Sequence, residues 1–199
     1  WNVPGSIGCW RGCTLDRAVS NFESFKNHVS VLFWSLGNES YAGDILVEMN
    51  RYYKEKDPDR LVHYEGVAEN RPYEDLISDM ESQMYAPPEK IKEYLENNPK
   101  KPFILCEYMH DMGNSLGGME SYIRLLDQYE DYQGGFIWDY IDQALFVKDE
   151  VTGRDVLRYG GDFDDRPSDY EFSGNGILFA DRTEKPAMQE VRHYYGLRR

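Results

Sequence analysis

Basic side chains are few relative to acidic ones in this chain. Its 199 residues include 22 Lys and Arg against 36 Asp and Glu, which gives a formal net charge of −14. A surface of this sign repels nucleic acid and anionic membranes, so neither is predicted as a partner. The acidity by itself indicates only a well-solvated surface. The chain also has no apolar run near the roughly 18 residues of a membrane-spanning helix, so no such segment is predicted.

Cysteine is rare and odd in number. Cys9, Cys13 and Cys106 are the three cysteines of the sequence, and Cys106 falls inside a predicted core strand. This disfavours a disulfide framework and favours a reducing compartment, so we expect a cytoplasmic protein. No second Cys/His pair lies near Cys9 and Cys13, and no zinc site is predicted there.

Aromatic residues are abundant at 15% of the chain, including 16 Tyr and 4 Trp. This suits a carbohydrate site, because apolar sugar faces pack on flat rings while tyrosine hydroxyls supply hydrogen bonds. An aromatic-rich core would give the same count, so composition leaves both explanations open. The chain begins at Trp1, without an initiator methionine and within a motif, and we expect it to be part of a longer chain.

Helical and extended patterns alternate along the sequence. Such alternation predicts an α/β fold built from parallel β/α units. Residues 67–80 are polar and irregular and predict a long loop, and beyond residue 140 the pattern decays into loops rich in Gly and Asp. The predicted helices are 14–28, 43–56, 88–96, 119–129 and 186–195, and the predicted strands are 31–36, 61–65, 84–86, 103–108 and 134–140.

Five predicted strands are too few to close a (β/α)8 barrel, which has eight strands and typically about 250 residues. No internal repeat, low-complexity tract or linker divides the chain. Residues 1–199 are therefore predicted to form part of a single α/β domain, a partial (β/α)8 barrel of about five units.

Two glutamates each end a predicted buried strand. Glu39 follows the run from Val31 to Leu36, and Glu107 follows the run from Phe103 to Cys106. Carboxyl ends of barrel strands are where β/α barrels place their chemistry. A pair of such carboxylates is what glycoside hydrolysis requires. From spacing alone, however, two solvated loop carboxylates are the favoured explanation.

Longer motifs around these glutamates resemble glycoside hydrolase family 2, and within it the bacterial lactose-cleaving β-galactosidase subgroup. The first is residues 27–40, ending in Ser35-Leu36-Gly37-Asn38-Glu39-Ser40. The resemblance continues, in order and at ordinary spacing, through residues 106–115, 134–139, 159–163, 175–176 and 179–183.

The resemblance implies that the chain is the carboxyl-terminal part of a catalytic barrel, with its five strands corresponding to the fourth to eighth. The flanking barrel strands and β-sandwich domains of the parent would lie outside it. Missing strands would leave an open sheet edge, so self-association into a homo-oligomer is expected, besides contact with the rest of the parent chain.

For the reaction, the resemblance implies that Glu39 is the acid/base and Glu107 the nucleophile of a retaining enzyme. Tyr85 matches the tyrosine that hydrogen-bonds the nucleophile, although a lone strand tyrosine is otherwise usually a core residue. Asn38 resembles the side chain that contacts the sugar 2-hydroxyl, and its alternative explanation is turn chemistry after Gly37.

Two further residues are implied in galactose binding. His110 matches the histidine that contacts galactosyl hydroxyls, and Trp138 the tryptophan that packs on the sugar face; a central-strand Trp would also serve the core. The remaining histidines, His28, His63 and His193, are given no functional role.

Metal sites follow from the same resemblance. Glu39 would be a Mg²⁺ ligand whose companions lie upstream of Trp1. Phe172, through its backbone oxygen, and Asn175, through its side chain, match ligands of a Na⁺ ion near the galactose 6-hydroxyl. The chain departs from the usual pattern at Asp164, where Gly is commoner, and at Ser173-Gly174. Neither ion is therefore expected to bind tightly to this chain alone.

The predicted function is that of a retaining β-galactosidase acting on β-galactosides such as lactose. His110 and Asn114 favour this subgroup over the β-glucuronidases and β-mannosidases of the same family, which remain the nearest alternatives. A second alternative is that the isolated chain is a non-catalytic assembly module, and we expect negligible turnover from it alone.

Overall fold

The computed structural model describes residues 2–196. Four of the seven helices there have nine or more residues, and the other three have four or five. The helices are α1 (Arg11–Phe25), α2 (Asp44–Lys56), α3 (Glu74–Ile77), α4 (Pro88–Glu96), α5 (Met119–Ile123), α6 (Leu125–Gln128) and α7 (Met188–Gly196). The strands are β1 (Phe33–Ser35), β2 (Leu61–His63), β3 (Glu81–Met84), β4 (Phe103–Tyr108), β5 (Tyr132–Ile137), β6 (Leu145–Lys148) and β7 (Asp155–Arg158).

The strands form three separate sheets. β1 pairs with β2 in parallel, with Trp34 opposite Val62. β3, β4 and β5 form a three-stranded sheet in that order, and β6 pairs with β7 antiparallel. The α/β class is confirmed, and across residues 2–196 these sheets do not close into a barrel. The correspondence to the last five units of a barrel stays a prediction.

Several elements lie where the sequence pattern predicts them. α2, α4 and β4 match their predicted ranges within one residue, and β1, β2 and β5 lie within or overlap theirs. α2 forms because its apolar residues recur at helical spacing and Asp57-Pro58 ends it. Its buried residues are Ile45, Leu46, Met49 and Tyr53.

Other predictions were wrong in detail. The strand predicted at 84–86 lies at 81–84, so Tyr85 follows it and takes a left-handed φ of +50°. The predicted loop at 67–80 contains α3 and 3-10 turns at Glu65–Ala68 and Arg71–Tyr73. The helix predicted at 119–129 is divided into α5 and α6 at Arg124.

The β6–β7 hairpin was missed by the sequence pattern. Leu145 and Phe146 are adjacent apolar residues that are both exposed, so β6 lacks the alternation of a half-buried strand. The turn is held by Asp149, whose Oδ2 accepts hydrogen bonds from the backbone and hydroxyl of Thr152 at 2.8 and 2.6 Å. Gly153, at φ +67°, supplies the left-handed residue of the turn.

The residues divide into two compact units. The first unit comprises the residues through Met84 together with Ile91–Cys106 and Asp131–Gln133. Its core includes Trp34, which stacks on Tyr53 with ring centroids 5.3 Å apart and donates from Nε1 to Asp57 Oδ2 at 2.9 Å. Buried around this pair are Ala18, Phe22, Leu36, Ala42, Leu46, Met49, Val62, Tyr64, Val67 and Ile77.

The second unit comprises Tyr85–Lys90, Glu107–Glu130 and the residues from Gly134 onward. Its core is smaller and includes Met119, Ile177, Leu178 and Val191. The hydroxyls of Tyr108 and Tyr195 lie 2.8 Å apart and join the end of β4 to α7.

The structure also bears on the cysteines and on membrane-spanning helices. Cys9, Cys13 and Cys106 form no disulfide bond with one another. Across residues 2–196, every helix is too short or too polar to cross a bilayer.

Candidate active site

Glu107 lies near the end of β4 and is half-buried. Tyr85 lies beside it, because the backbone N–H of Tyr85 donates to the Glu107 carbonyl oxygen at 2.9 Å. The Tyr85 hydroxyl then donates to Glu107 Oε2 at 2.6 Å. A phenol that donates to a carboxylate fixes the orientation of that carboxylate. The structure therefore brings two of the predicted catalytic residues together as a hydrogen-bonded pair.

Aromatic rings extend from this pair. The His110 ring lies 5.7 Å from the Tyr85 ring, with 67° between the two planes. On its other side, His110 lies 6.2 Å from the Phe172 ring at 68°. Ser115 Oγ donates to the His110 carbonyl oxygen and holds the loop after β4. His110 is thus adjacent to the Tyr85–Glu107 pair, as a residue that contacts a substrate there would have to be.

Trp138 follows β5 and is 38% exposed, so part of this residue is accessible to solvent. Its backbone is held on both sides: its N–H donates to the Tyr108 carbonyl at 3.0 Å, and its carbonyl accepts from the Asp111 N–H at 2.8 Å. The peptide bond between Trp138 and Asp139 is cis. The Asp139 N–H donates to the Asn175 carbonyl at 2.7 Å, so backbone bonds connect the loops that carry His110, Trp138 and Asn175.

Asn175 is 3% exposed, and its Nδ2 donates to the Phe172 carbonyl oxygen at 2.6 Å. Its Oδ1 is buried and has no hydrogen-bond partner in the structure. A buried amide oxygen without a partner is unfavourable unless something else binds it, and a hard cation prefers such oxygens. Gly176 must follow, because a Cβ there would lie 2.3 Å from the Asp142 backbone nitrogen. The residues present fit an oxygen-coordinated ion.

A charged cluster that is largely shielded from solvent lies in the same unit and was missed by the sequence analysis. Lys185 Nζ lies 2.8 Å from Asp142 Oδ1 and donates to the Gly174 carbonyl at 3.2 Å. Asp111 is 3% exposed, and its Oδ2 has no hydrogen-bond partner. Burial raises the pKa of the Asp111 carboxyl, an effect that the nearby Lys185 charge opposes. No local pattern indicates this cluster, because its members are distant in sequence.

Asp164 has a φ of +58°, a conformation that glycine adopts without strain. The resemblance in the sequence indicated Gly as the commoner residue at this position, and an aspartate in this conformation carries some strain.

Asn38 and Glu39 lie in the loop after β1, in the first unit, and both side chains are exposed. Glu39 has a left-handed φ of +50°. Its backbone N–H donates to Glu65 Oε1 at 2.5 Å. The next residue, Ser40, donates from its backbone N–H to the Tyr64 hydroxyl at 3.0 Å. The loop is therefore held by residues that directly follow β2, and the sequence analysis gave neither of them a role.

For the predicted Mg²⁺ site, Glu39 is the one ligand that the sequence assigns. Within residues 2–196, no three His, Cys, Asp or Glu side chains are grouped so as to hold a metal ion. The residues of this chain therefore do not by themselves fit a magnesium centre, and no chemical step is derived through one.

The α/β elements and a hydrogen-bonded carboxylate near the end of β4 are features that glycoside hydrolase barrels also have. The sequence matches the family described as glycosyl hydrolases family 2, TIM barrel domain, over residues 1–198. The chain belongs to this family, as the motifs around Glu39 and Glu107 predicted.

Similar curated proteins are longer than this chain. The chain is 73% identical to the β-galactosidase large subunit of Latilactobacillus sakei over 196 residues, covering 98% of this chain and 31% of that protein. It is 69% identical to the β-galactosidase large subunit of Lactobacillus helveticus, with the same coverage. The chain thus spans about a third of the length of these relatives.

Among solved structures, the chain resembles a β-glucuronidase from Faecalibacterium prausnitzii with a TM-score of 0.60. The two are 17% identical, and the match covers 95% of this chain and 35% of the other. At this identity the likeness shows the fold, and it carries no information on the sugar.

Proposed function

We propose that this chain is the catalytic barrel portion of a retaining β-galactosidase that hydrolyses terminal β-D-galactosides such as lactose. The hydrogen bond from Tyr85 to Glu107 is the observation that carries the proposal, because it provides an oriented carboxylate at a strand end. The β-galactosidase name of relatives up to 73% identical supports galactose as the sugar.

In the first step of the proposed reaction, the Glu107 carboxylate attacks the anomeric carbon of the galactoside. The bond from that carbon to the leaving oxygen breaks, and Glu39 gives its proton to the leaving oxygen. The product is a galactosyl ester of Glu107 and a free alcohol. Tyr85 holds the attacking oxygen in place while the charge on Glu107 is consumed.

In the second step, Glu39, now a carboxylate, takes a proton from a water molecule. The water oxygen attacks the anomeric carbon, the ester bond to Glu107 breaks, and galactose leaves with its configuration retained. A retaining pair of carboxyl groups stands about 5–5.5 Å apart, which is the separation that the proposal requires of Glu39 and Glu107.

The sugar contacts of the proposal use three more residues. Asn38 hydrogen-bonds the 2-hydroxyl, His110 contacts other galactosyl hydroxyls, and the exposed face of Trp138 packs on the apolar face of the ring. The position of the His110 ring against the Tyr85 ring supports this role for His110.

A Na⁺ ion at Phe172 and Asn175 is proposed to bind the region of the galactose 6-hydroxyl. The buried, unpartnered Asn175 Oδ1 supports it. Replacing Na⁺ by K⁺ at constant ionic strength is expected to raise KM for the wild-type protein, and to change KM little for an Asn175→Ala variant. An unchanged wild-type KM would remove the sodium proposal and leave the carboxylate chemistry intact.

A panel of nitrophenyl β-glycosides tests the sugar specificity. With the full-length protein that carries this chain, the galactoside is expected to give the highest kcat/KM. Preference for the glucuronide or mannoside would replace the proposal by one of those activities. Glu107→Gln is expected to abolish turnover, and trapping with a 2-fluoro-galactoside is expected to label the peptide that contains Glu107.

The same assay applies to the isolated 199-residue chain. We expect negligible turnover from it, because sugar contacts from the rest of the longer protein are needed. Galactosidase activity of the isolated chain that is lost on Glu107→Gln would show the opposite. We further propose that the protein is cytoplasmic. We also propose that this chain associates with the rest of its parent chain and with other copies of itself. Light scattering over a range of concentrations would test the self-association.

A further inference from the structure

We propose that Glu65 is a positioning residue for Glu39, acting together with its neighbours Tyr64 and Gly66. The inference rests on the proposed function, in which Glu39 is the acid/base. We refer to Tyr64, Glu65 and Gly66 as the acid-loop clamp, since they contact the loop that carries the acid.

Glu65 is 6% exposed, which is unusual for a carboxylate. Burial of a carboxylate is tolerated when strong hydrogen bonds compensate for the lost water. One of those bonds is the contact of 2.5 Å from the backbone N–H of Glu39 to Glu65 Oε1. The buried charge is therefore bound directly to the peptide of the proposed acid.

The backbone of Glu39 needs such a partner. Its φ of +50° lies in the left-handed region, which residues with a side chain adopt only when their surroundings impose it. The preceding Gly37 also has a positive φ, of +151°. Glu39 thus adopts a conformation that a residue with a side chain does not favour, and the bond to Glu65 is one of the contacts that impose it.

The other two clamp residues hold Ser40. Tyr64 is fully buried; its hydroxyl accepts from the Ser40 backbone N–H at 3.0 Å and lies 2.9 Å from Ser40 Oγ. Gly66 has no room for a side chain, because a Cβ there would lie 2.6 Å from the Ser40 carbonyl oxygen and 2.5 Å from the Tyr64 ring. Three consecutive residues after β2 thus contact two consecutive residues of the acid loop.

The position of the acid loop matters because Glu39 must transfer a proton in the proposed reaction. A general acid acts only within hydrogen-bond reach of the leaving oxygen, and small displacements of such groups cost large factors in rate. Loss of the Glu65 acceptor would free the Glu39 peptide to rotate. Acid assistance would then fall while Glu107 and the sugar-binding side chains of the second unit remain unchanged.

The test compares leaving groups in the full-length protein. For Glu65→Ala we expect kcat/KM to fall roughly 100-fold on an alkyl β-galactoside, whose leaving oxygen needs protonation. On 2,4-dinitrophenyl β-galactoside, which leaves without a proton, we expect a loss of less than about threefold. Azide, which attacks the galactosyl ester without base assistance, is expected to raise kcat on the dinitrophenyl substrate and to give galactosyl azide.

Glu65→Gln provides the conservative variant, because its amide oxygen still accepts from the Glu39 N–H. It is expected to stay within a few-fold of wild type on both substrates. Glu81→Gln is the matched control: Glu81 is also buried, and its carboxylate is paired with Arg71 at 2.7 and 2.8 Å. It is expected to leave the ratio of the two kcat/KM values unchanged.

Equal losses on both substrates in Glu65→Ala would overturn the proposal, as would a Glu65→Gln variant as impaired as Glu65→Ala. If Glu65→Ala does not fold, Tyr64→Phe tests the same clamp, and it must show a selective loss on the alkyl substrate. Glu39→Ala separates the two levels of inference. If Glu39→Ala shows no selective loss on the alkyl substrate, the proposed function fails. If Glu39→Ala shows that selective loss but the clamp variants do not, only the role of Glu65 fails.

Discussion

The Nε2 atom of His63 lies 2.7 Å from the hydroxyl oxygen of Ser82, and both residues are buried. On the other side of the imidazole, Nδ1 lies 3.0 Å from Ser35 Oγ. The three residues lie in or end β1, β2 and β3, so one neutral imidazole connects three consecutive strands of the first unit. A neutral ring serves here, because one nitrogen donates and the other accepts.

This arrangement predicts a pH dependence of stability. Burial lowers the pKa of His63 from 6.5 to about 4. Between these two values the unfolded chain binds a proton at His63 that the folded chain does not bind. The contribution of the neutral His63 ring to stability is therefore fully present above pH 6.5 and is lost as the pH falls toward 4. The loss over that window is roughly 3 kcal/mol. Imidazole NMR shifts should show His63 still neutral at pH 5, and urea unfolding of the chain should show lower stability there than at pH 7.5.

His63→Gln is expected to flatten this dependence below pH 6.5, whereas His28→Gln, at an exposed position, leaves it unchanged. A His63 ring that titrates near its ordinary value would contradict the assignment.

Tyr85→Phe removes the hydroxyl that donates to Glu107 Oε2 at 2.6 Å. A hydrogen bond to a charged group contributes about 1.5–3 kcal/mol, so we expect kcat/KM of the full-length protein to fall roughly 10- to 100-fold. Tyr94→Phe is the matched control, because the Tyr94 hydroxyl donates to the backbone carbonyl of Lys101 and lies in the first unit. Equal activity in the two variants would show that the Tyr85 hydroxyl has no part in the reaction.

Phe103→Ala tests the packing of β4. Phe103 is fully buried, and its ring lies 5.3 Å from Tyr94 and 6.3 Å from Tyr132. Truncation of a buried phenylalanine costs about 3–5 kcal/mol, which a shift of the urea midpoint measures. Phe146→Ala, at a residue that is 59% exposed, is expected to change stability by less than about 0.5 kcal/mol. Similar shifts for both would contradict the assigned core.

Gly43→Ala tests a close backbone approach at the start of α2. A Cβ on Gly43 would lie 2.3 Å from the carbonyl carbon of Gly5, and backbone atoms do not yield as flexible side chains do. We expect a loss of roughly 1–3 kcal/mol on thermal or urea unfolding. Gly8→Ala, where a Cβ meets nothing within 4 Å, should unfold at or above the wild-type midpoint. A neutral Gly43→Ala would mean that the two segments separate at little cost.

The elements that could be predicted from the sequence have strong local signals. α2 and α4 show apolar residues at helical spacing with Pro at or near their ends, and β4 is a short buried run. β3 was displaced because its residues, Glu81 and Ser82 among them, are polar yet buried, a combination that periodicity does not detect. Glu81 is buried because Arg71, ten residues away, pairs with it.

Some residues of the candidate site also have local sequence signals, and others do not. Glu39 and Glu107 could be found from the sequence, because each ends an apolar run and stands within a long motif. Glu65 also ends a predicted strand, but nothing local distinguishes it from a solvated carboxylate. Its contact with the Glu39 backbone, 26 residues away, is the observation behind the positioning role proposed for it.

The sequence by itself thus determined the family and the α/β class and predicted the two carboxylates, because these depend on residue types at fixed local spacing. The tertiary structure alone decided which buried polar groups face one another: Glu65 and the Glu39 peptide, His63 and Ser82, Lys185 and Asp142. Each of these contacts joins residues that are far apart along the chain. Their partners are set by how the strands and loops pack, and removal from water then makes the pairing obligatory.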